Sequence, residues 1–394
     1  MSIDACVLRQ KDYIVAMRRY FHAHPEISLQ EFKTADRIEE ELDAIGIEHE
    51  RVGETGVFAR IVGKKSHEGR ARIVALRADM DALGLDDLKN CEYASKNKGV
   101  CHACGHDGHT ATLLAAARIL KSMQDDFAGE IRLFFQQAEE IGQGARRFVA
   151  AGLLEGVDRI YGQHVTNTLE VGQVGIVGGP LNASCDFFRI EIKGRSAHVS
   201  MPHKGIDALY VASQIVVAVQ SIVARSTDPM QSAVVGIGKA WAGSQYNIVA
   251  EDAVLEGTVR TFDPTVREFI NRRLTDIVEQ TAKMFGAQAT IEIRNYSNPL
   301  INDAAAAREV KLVAEGIVGA ENIVGDYPKS MMAEDFADYL PHCCGAFAYF
   351  GTHSDKPGTE CANHNGHFDI DEQGLLVACN MFVRYALFVL NDLA

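Results

Sequence analysis

The alternation of apolar and polar positions divides the chain into two kinds of segment. Residues from Gln10 to Ile45 carry helical spacing and predict two helices around the turn His24-Pro25-Glu26. Short apolar runs follow, and Gly56–Val62 and Arg72–Ala78 predict strands. Ile73-Val74-Ala75-Leu76 is apolar without interruption, as in a strand buried on both faces. A helix over Thr110–Met123, a strand over Glu130–Phe135, a helix over Gly142–Ala151 and a strand over Arg159–His164 continue the alternation. Strands alternating with helices predict an α/β sheet with parallel pairing.

Beyond that point the order changes. Asp186–Lys193, Ala233–Trp241, Ala253–Phe262 and Ala289–Arg294 read as strands, with helices over Ile206–Arg225 and Pro264–Phe285. Pro264 suits a first helical turn, with Asp263 as its cap. The β-α-β-β-α-β order is that of a ferredoxin-like unit. We therefore read residues 184–295 as an α+β domain inserted into a larger α/β domain formed by 1–183 and 296–394. The chain ends in a helix over Glu372–Leu390.

Composition narrows the function. A chain of 394 residues exceeds the usual span of one core, in keeping with two domains. A net charge of −14 argues against nucleic acid or an anionic membrane as partner. The N-terminus lacks a basic segment followed by an apolar run, so no signal peptide is expected. The run Leu375 to Leu390, broken by Asn380 and Arg384, reads as too short for a bilayer span. Nine cysteines, an odd number, fit reduced thiols in the cytoplasm.

The chemistry is concentrated in Cys101-His102-Ala103-Cys104-Gly105-His106-Asp107-Gly108-His109. Thiolate, imidazole and carboxylate together suit a transition metal. Cys104 and His106 can turn towards one ion, with His102 and His109 as competing ligands, whereas Cys101-x-x-Cys104 alone would also suit a redox pair. Glu139 and Glu140 follow an apolar strand, where open α/β sheets place their ligands. One could bind metal while the other acts as base. His164 ends the next strand, and Asp79 and Asp81 follow a buried one, as supports for metal ligands. Asn363-His364-Asn365-Gly366-His367 precedes the last helix and offers a further ligand. No Gly-x-Ser-x-Gly or phosphate-binding glycine loop is present. These residues lead to a metal-assisted hydrolase.

The chain resembles the M20 family of metallopeptidases and amidohydrolases, in its branch of N-acyl-amino-acid, hippurate and auxin-conjugate amidohydrolases. The resemblance runs through Arg19–Glu26, Leu76–Leu83, His102–His109, Ala138-Glu139-Glu140, Gly162–Val165, Ala197-His198, Pro202-His203, Gly257–Thr261 and Ala333–Phe336. It implies an exopeptidase-like catalytic domain and a ferredoxin-like lid that commonly forms a homodimer. It also implies two divalent ions, zinc or manganese first and cobalt or nickel as alternatives, held by Cys104, His106, Glu140, His164 and His364. Glu139 resembles the general acid/base, and His198 the lid histidine that steadies the oxyanion across the dimer. Asn247 and Arg260 resemble residues that hold the substrate carboxylate, and Asp79 and Asp335 stand behind the ligands. His203, His353 and His367 read as structural or rim residues.

The implied reaction is hydrolysis of an N-acyl or N-aroyl amino acid to an amino acid and a carboxylic acid. A dipeptidase or aminobenzoyl-glutamate hydrolase of the same fold, a thiol hydrolase using Cys104, and a non-catalytic binding protein are the alternatives. Several positions depart from the family pattern. Gly84, Gln137 and Ala250 stand where proline is usual, Met332 stands where glycine is usual, and Asn365-Gly366 follows His364 in place of Ser-Pro. The ligand positions survive while their neighbours change, which predicts a non-standard acyl or amino-acid pocket.

Overall fold

Strand Ile73–Asp79 is buried at every residue after Ile73, which explains its unbroken apolar run. Glu130–Gln136 and Arg159–Glu170 pair with it in parallel, one on each side. Gly345–His353 extends the parallel region beside Arg159–Glu170. On the other flank Gly56–Val62 and Glu48–Val52 pair antiparallel. With Val174–Gly175 and Ile323–Val324 they complete an eight-stranded mixed sheet in this computed structural model, which describes residues 2–391.

The register sets the level at which functional groups emerge. Asp79 pairs with Gln136. Arg77 pairs with Gly162, so two residues further on Asp79 and His164 stand at the same level. Three adjacent parallel strands thus bring Asp79, the Gln136–Glu140 turn and His164 to one level.

Helices Lys11–Ala23, His106–Ser122 and Gly374–Asn391 pack with one another in the same unit. Several boundaries differ from the sequence expectation. A separate helix Ile3–Arg9 precedes Lys11–Ala23. The helix expected from Thr110 starts at His106, because Gly105 adopts a left-handed conformation that launches it earlier. Strand Arg159–Glu170 also runs six residues past His164, so His164 lies inside the strand rather than at its end.

Helix Gly374–Asn391, with Ala208–Ser226, is long and apolar enough to cross a bilayer by length and composition. This corrects the expectation that the C-terminal run is too short. Its apolarity has a local use, since Met381, Phe382 and Tyr385 are fully buried in the core. Burying one such ring contributes about 2 kcal/mol.

By contact the chain forms two compact units: Met1–Gly179, Ile301–Pro328 and Asp335–Ala394 make one, and Pro180–Leu300 with Lys329–Glu334 the other. Within the smaller unit, Gln288–Ser297, Cys185–Lys193, Asp252–Thr261 and Ala233–Ala242 lie side by side in that order, all antiparallel. Helices Ala208–Ser221 and Pro264–Met284 connect them in β-α-β-β-α-β order. Asp263 caps the second helix by accepting from the backbone of Thr265 and Val266, with Pro264 in the first turn.

In the larger unit, Arg18 is buried and ties the metal-loop region to the chain terminus. Its guanidinium meets Asp107 at 3.0 Å, Asp369 at 2.5 Å and Glu372 at 3.4 Å. Burial opposes charge on Asp107, but Arg18 and His22 outweigh it and hold the carboxyl well below its usual range. Arg18→Ala leaves that carboxylate without its main counter-charge, and we expect a loss of about 3–5 kcal/mol at neutral pH in urea denaturation. A carboxyl with a depressed folded-state pKa stabilises above its unfolded value, so the deficit should shrink only below about pH 4.

Candidate metal centre

Each potential ligand is delivered by a constrained piece of backbone. Gly105 has φ +89°, and a side-chain carbon there would come within 2.3 Å of Val165. Glycine is therefore required between Cys104 and His106. Ala138, just before the two glutamates, has φ 54°, and His364 has φ 65°. Non-glycine residues rarely adopt this region, and such strain concentrates at functional sites. The Ala138 N–H donates to Glu31 Oε1 at 2.9 Å, and the His364 N–H donates to the Ala103 carbonyl at 2.7 Å. These bonds hold both turns in place.

The side chains converge. Cys104 Sγ is 3.4 Å from His164 Nε2. His106 Nε2 is 3.9 Å from Glu140 Oε1 and 4.0 Å from Glu139 Oε2. His364 Nε2 is 3.4 Å from Glu140 Oε2. Ligand atoms of Cys104, His106 and His164 lie within 4.8 Å of one another, as do those of Cys104, Glu140 and His364 and those of His106, Glu139 and Glu140. The overlapping groups share Cys104, His106 and Glu140, as expected of neighbouring ions with common ligands.

The tautomers fit metal binding. His106 Nδ1–H donates to the Asp81 carbonyl at 2.9 Å, and His164 Nδ1–H donates to the Val165 carbonyl at 2.6 Å. Each ring therefore presents a bare Nε2 to the cluster. His106 Nε2 is buried and makes no hydrogen bond. Burial, reinforced by Glu140, pushes the Cys104 thiol up to about 12. Burial opposes charge on His106, yet Asp79, Cys104 and Asp81 raise its pKa well above the ordinary range. A buried donor set that draws a proton onto an imidazole this strongly is suited to a bound cation instead.

His109 is not available as a ligand. Its Nδ1–H donates to Asp79 Oδ1 at 2.6 Å, and its Nε2 accepts from the Val165 N–H at 2.9 Å. It braces the strand carrying His164. Asp79 also meets Arg77 at 2.6 Å. Asp335 accepts from Arg77 at 2.9 Å and from the N–H groups of Gly144 and Ala145, each at 3.1 Å. Its own N–H donates to Glu139 Oε1 at 3.4 Å.

Sequence reasoning underrated Asp81, Asn363 and Arg77. Asp81 steadies His106 through its carbonyl and Glu140 through its carboxylate, which accepts the Glu140 N–H at 3.1 Å. Its place two residues after Asp79 was the available signal. Asn363 Nδ2 donates to Cys104 Sγ at 3.4 Å. His198, Asn247 and Arg260 belong to the smaller unit. There the Ser200 N–H donates to His198 Nδ1 at 3.1 Å, leaving the proton on Nε2. Arg260 donates to the Met331 carbonyl at 3.3 Å, and the Asn247 carbonyl accepts from Val199 at 3.1 Å.

A mixed α/β sheet with thiol, imidazole and carboxylate donors grouped at its strand ends defines a metal-dependent hydrolase. Residues 75–387 match the model of peptidase family M20/M25/M40. N-acetyl-L-cysteine deacetylase of Bacillus subtilis (strain 168) is 43% identical over 93% of this chain and 85% of its own length. N-acyl-L-amino acid amidohydrolase of Geobacillus stearothermophilus is 43% identical over 76% of this chain and 81% of its own. The crystal structure of the Bacillus subtilis YXEP protein, a dinuclear metal-binding peptidase from the M20 family, is similar with a TM-score of 0.83. It is 34% identical, with 99% of each chain covered. The chain belongs to peptidase family M20/M25/M40 and is a dinuclear metal-dependent amidohydrolase.

Removing the Asp81 side chain takes away the carboxylate that accepts the Glu140 N–H and lies 3.3 Å from His106 Nδ1, while the carbonyl contact to His106 stays. Asp81→Ala should weaken metal affinity by about 10–100-fold, measured by competition with a chromophoric chelator.

Proposed function

We propose that Cys104, His106, Glu140, His164 and His364 hold two divalent ions, and that Glu139 moves the proton in hydrolysis of an N-acyl amino acid. The observation that carries this is the bare, buried Nε2 of His106, facing Glu139 and Glu140 with its Nδ1 fixed behind it. Two divalent ions, when bound, polarise the amide carbonyl and lower the pKa of the attacking water. Zinc or manganese fits a mixed thiolate, imidazole and carboxylate set, as do cobalt and nickel.

Glu139 takes the proton from the attacking water and delivers it to the leaving nitrogen as the C–N bond breaks. One molecule of water is consumed, and a free amino acid and a carboxylic acid leave. The Asp335 N–H on Oε1 orients the carboxylate. His198 carries its proton on Nε2, the form needed to donate to a developing oxyanion. Arg260 offers a planar fork for the substrate carboxylate, with Asn247 as second donor. The deacetylase and amidohydrolase relatives support the N-acyl amino acid class. Gly84 and Met332, at positions usually proline and glycine, support a preference unlike the ordinary acetyl or hippuryl one. A panel of N-acyl amino acids and dipeptides tests that preference, and ordinary hippurate selectivity would refute it.

Glu139→Ala should lower kcat by about 10²–10⁴ while metal stoichiometry stays unchanged. Full activity in that variant would remove Glu139 as the base. Chelation should abolish activity and added metal restore it, whereas activity surviving complete demetallation would favour Cys104 as nucleophile.

A homodimer through the smaller unit is part of this proposal. Strand Ala233–Ala242 ends its sheet, with Val234 and Trp241 exposed, and helix Ala208–Ser221 exposes Leu209, Tyr210 and Val217. Open edges of this kind invite strand pairing. Light scattering should give twice the chain mass, falling to one chain mass for Val234→Lys with Trp241→Lys. A reducing, cytoplasmic setting accords with nine free thiols.

A further inference from the structure

A second group of metal-type donors lies in the larger unit and takes no part in the chemistry above. His22, Asp87 and Cys101 bring ligand atoms within 4.8 Å of one another. All three side chains are buried: His22 and Cys101 are at 0% exposure, and the Asp87 side chain is at 3%.

Each donor is fixed before any ion arrives. His22 sits in the last turn of helix Lys11–Ala23, and its Nδ1 meets Asp107 Oδ2 at 2.6 Å. A carboxylate on one imidazole nitrogen sets the tautomer that offers the other to a metal. His22 Nε2 is buried without a hydrogen-bond partner and stands 3.4 Å from Asp87 Oδ2. Asp87 accepts backbone N–H groups of Lys89 at 3.1 Å and Ser95 at 2.8 Å. Cys101 is held by reciprocal backbone bonds with Leu83, each 3.0 Å.

The charges suit a divalent ion. Lys89 Nζ is 2.9 Å from Asp87 Oδ1 and 3.7 Å from Cys101 Sγ. That ammonium lies between the Cys101 sulfur and the Asp87 carboxylate. It occupies Oδ1 and leaves Oδ2 facing His22. His102, buried with neither ring nitrogen bonded, lies with its ring centre 6.3 Å from that of His22. It is a further donor at hand.

We propose that His22 Nε2, Asp87 and Cys101 form a separate structural site for a borderline-soft divalent cation of the zinc class. Thiolate, imidazole and carboxylate in a closed pocket suit that class over calcium or magnesium. The ion would clamp residues 84–101, a segment opening with flexible Gly84, to helix Lys11–Ala23. It takes the place of a proton on His22, so acid releases it.

The test uses the full chain loaded with cobalt and dialysed. Wild type should hold three ions per chain, and Cys101→Ser and Asp87→Asn two each. Cys104→Ser with Glu140→Ala should empty the catalytic pair yet keep one ion with thiolate-to-cobalt charge-transfer absorption. Adding Cys101→Ser to that variant should abolish the band. Two ions in wild type, unchanged by Cys101→Ser, would overturn the site. So would a Cys104→Ser, Glu140→Ala variant without the band. Neither result touches the assignment of Glu139, which is read from kcat.

Discussion

The larger unit depends on one buried guanidinium. Arg77 is fully enclosed inside the sheet and meets Asp79 at 2.6 Å, Gln136 at 2.9 Å and Asp335 at 2.9 Å. Those partners come from its own strand, the adjacent parallel strand, and a segment more than two hundred residues further on. Such a charge is tolerated only when its donors are met, and the same requirement positions the residues that meet them. Asp79 then reaches His109, which braces Val165 beside His164. Asp335 reaches Gly144, Ala145 and Glu139. The strand of His164, the Glu139 carboxylate and the start of helix Gly144–Ala150 are therefore linked through one cation.

Much of this is legible in the chain. The uninterrupted run at Ile73 announces a strand buried on both faces, and the switch to β-α-β-β-α-β order announces a second unit. Cys104 and His106 stand out by the density of metal-type residues around them, and the Glu139-Glu140 pair by its place just beyond an apolar strand. What stays hidden is long-range or backbone-borne. The metal-type residues of one loop are all buried, and the left-handed turn between Cys104 and His106 needs Gly105 because Val165, sixty residues away, leaves no room for a side chain. His109 reads as a competing ligand in the sequence, whereas both its nitrogens are engaged in the fold. Strand pairing is silent in local pattern, so the common level of Asp79 and His164 emerges only with the register.

The electrostatics explain why a cation belongs here and a bare cluster does not suffice. Cys104 resists ionisation because it is buried, while His106 is drawn towards a proton by surrounding carboxylates. A divalent ion held there would favour the Cys104 thiolate and an unprotonated His106 Nε2. The protein's part is to fix Nδ1 of His106 and His164 on carbonyls, so that only Nε2 can respond.

The adjacent glutamates show how a small backbone distortion divides labour. Successive residues on a regular strand would point to opposite faces of the sheet. The turn after Glu130–Gln136 instead passes through left-handed Ala138, and both carboxylates stay within reach of His106 Nε2. Their partners then separate them. The Glu140 backbone is held by Asp81 and its carboxylate faces His364, whereas the Glu139 carboxylate accepts a long bond of 3.4 Å from the Asp335 N–H. A turn pinned from behind, with its carboxylate aimed at a second donor, suits a constant ligand. A 3.4 Å bond from a backbone N–H sets which oxygen of the Glu139 carboxylate faces Asp335, in keeping with the proton-transfer role proposed for it. The different roles proposed for Glu139 and Glu140 thus rest on the backbone around two chemically identical side chains.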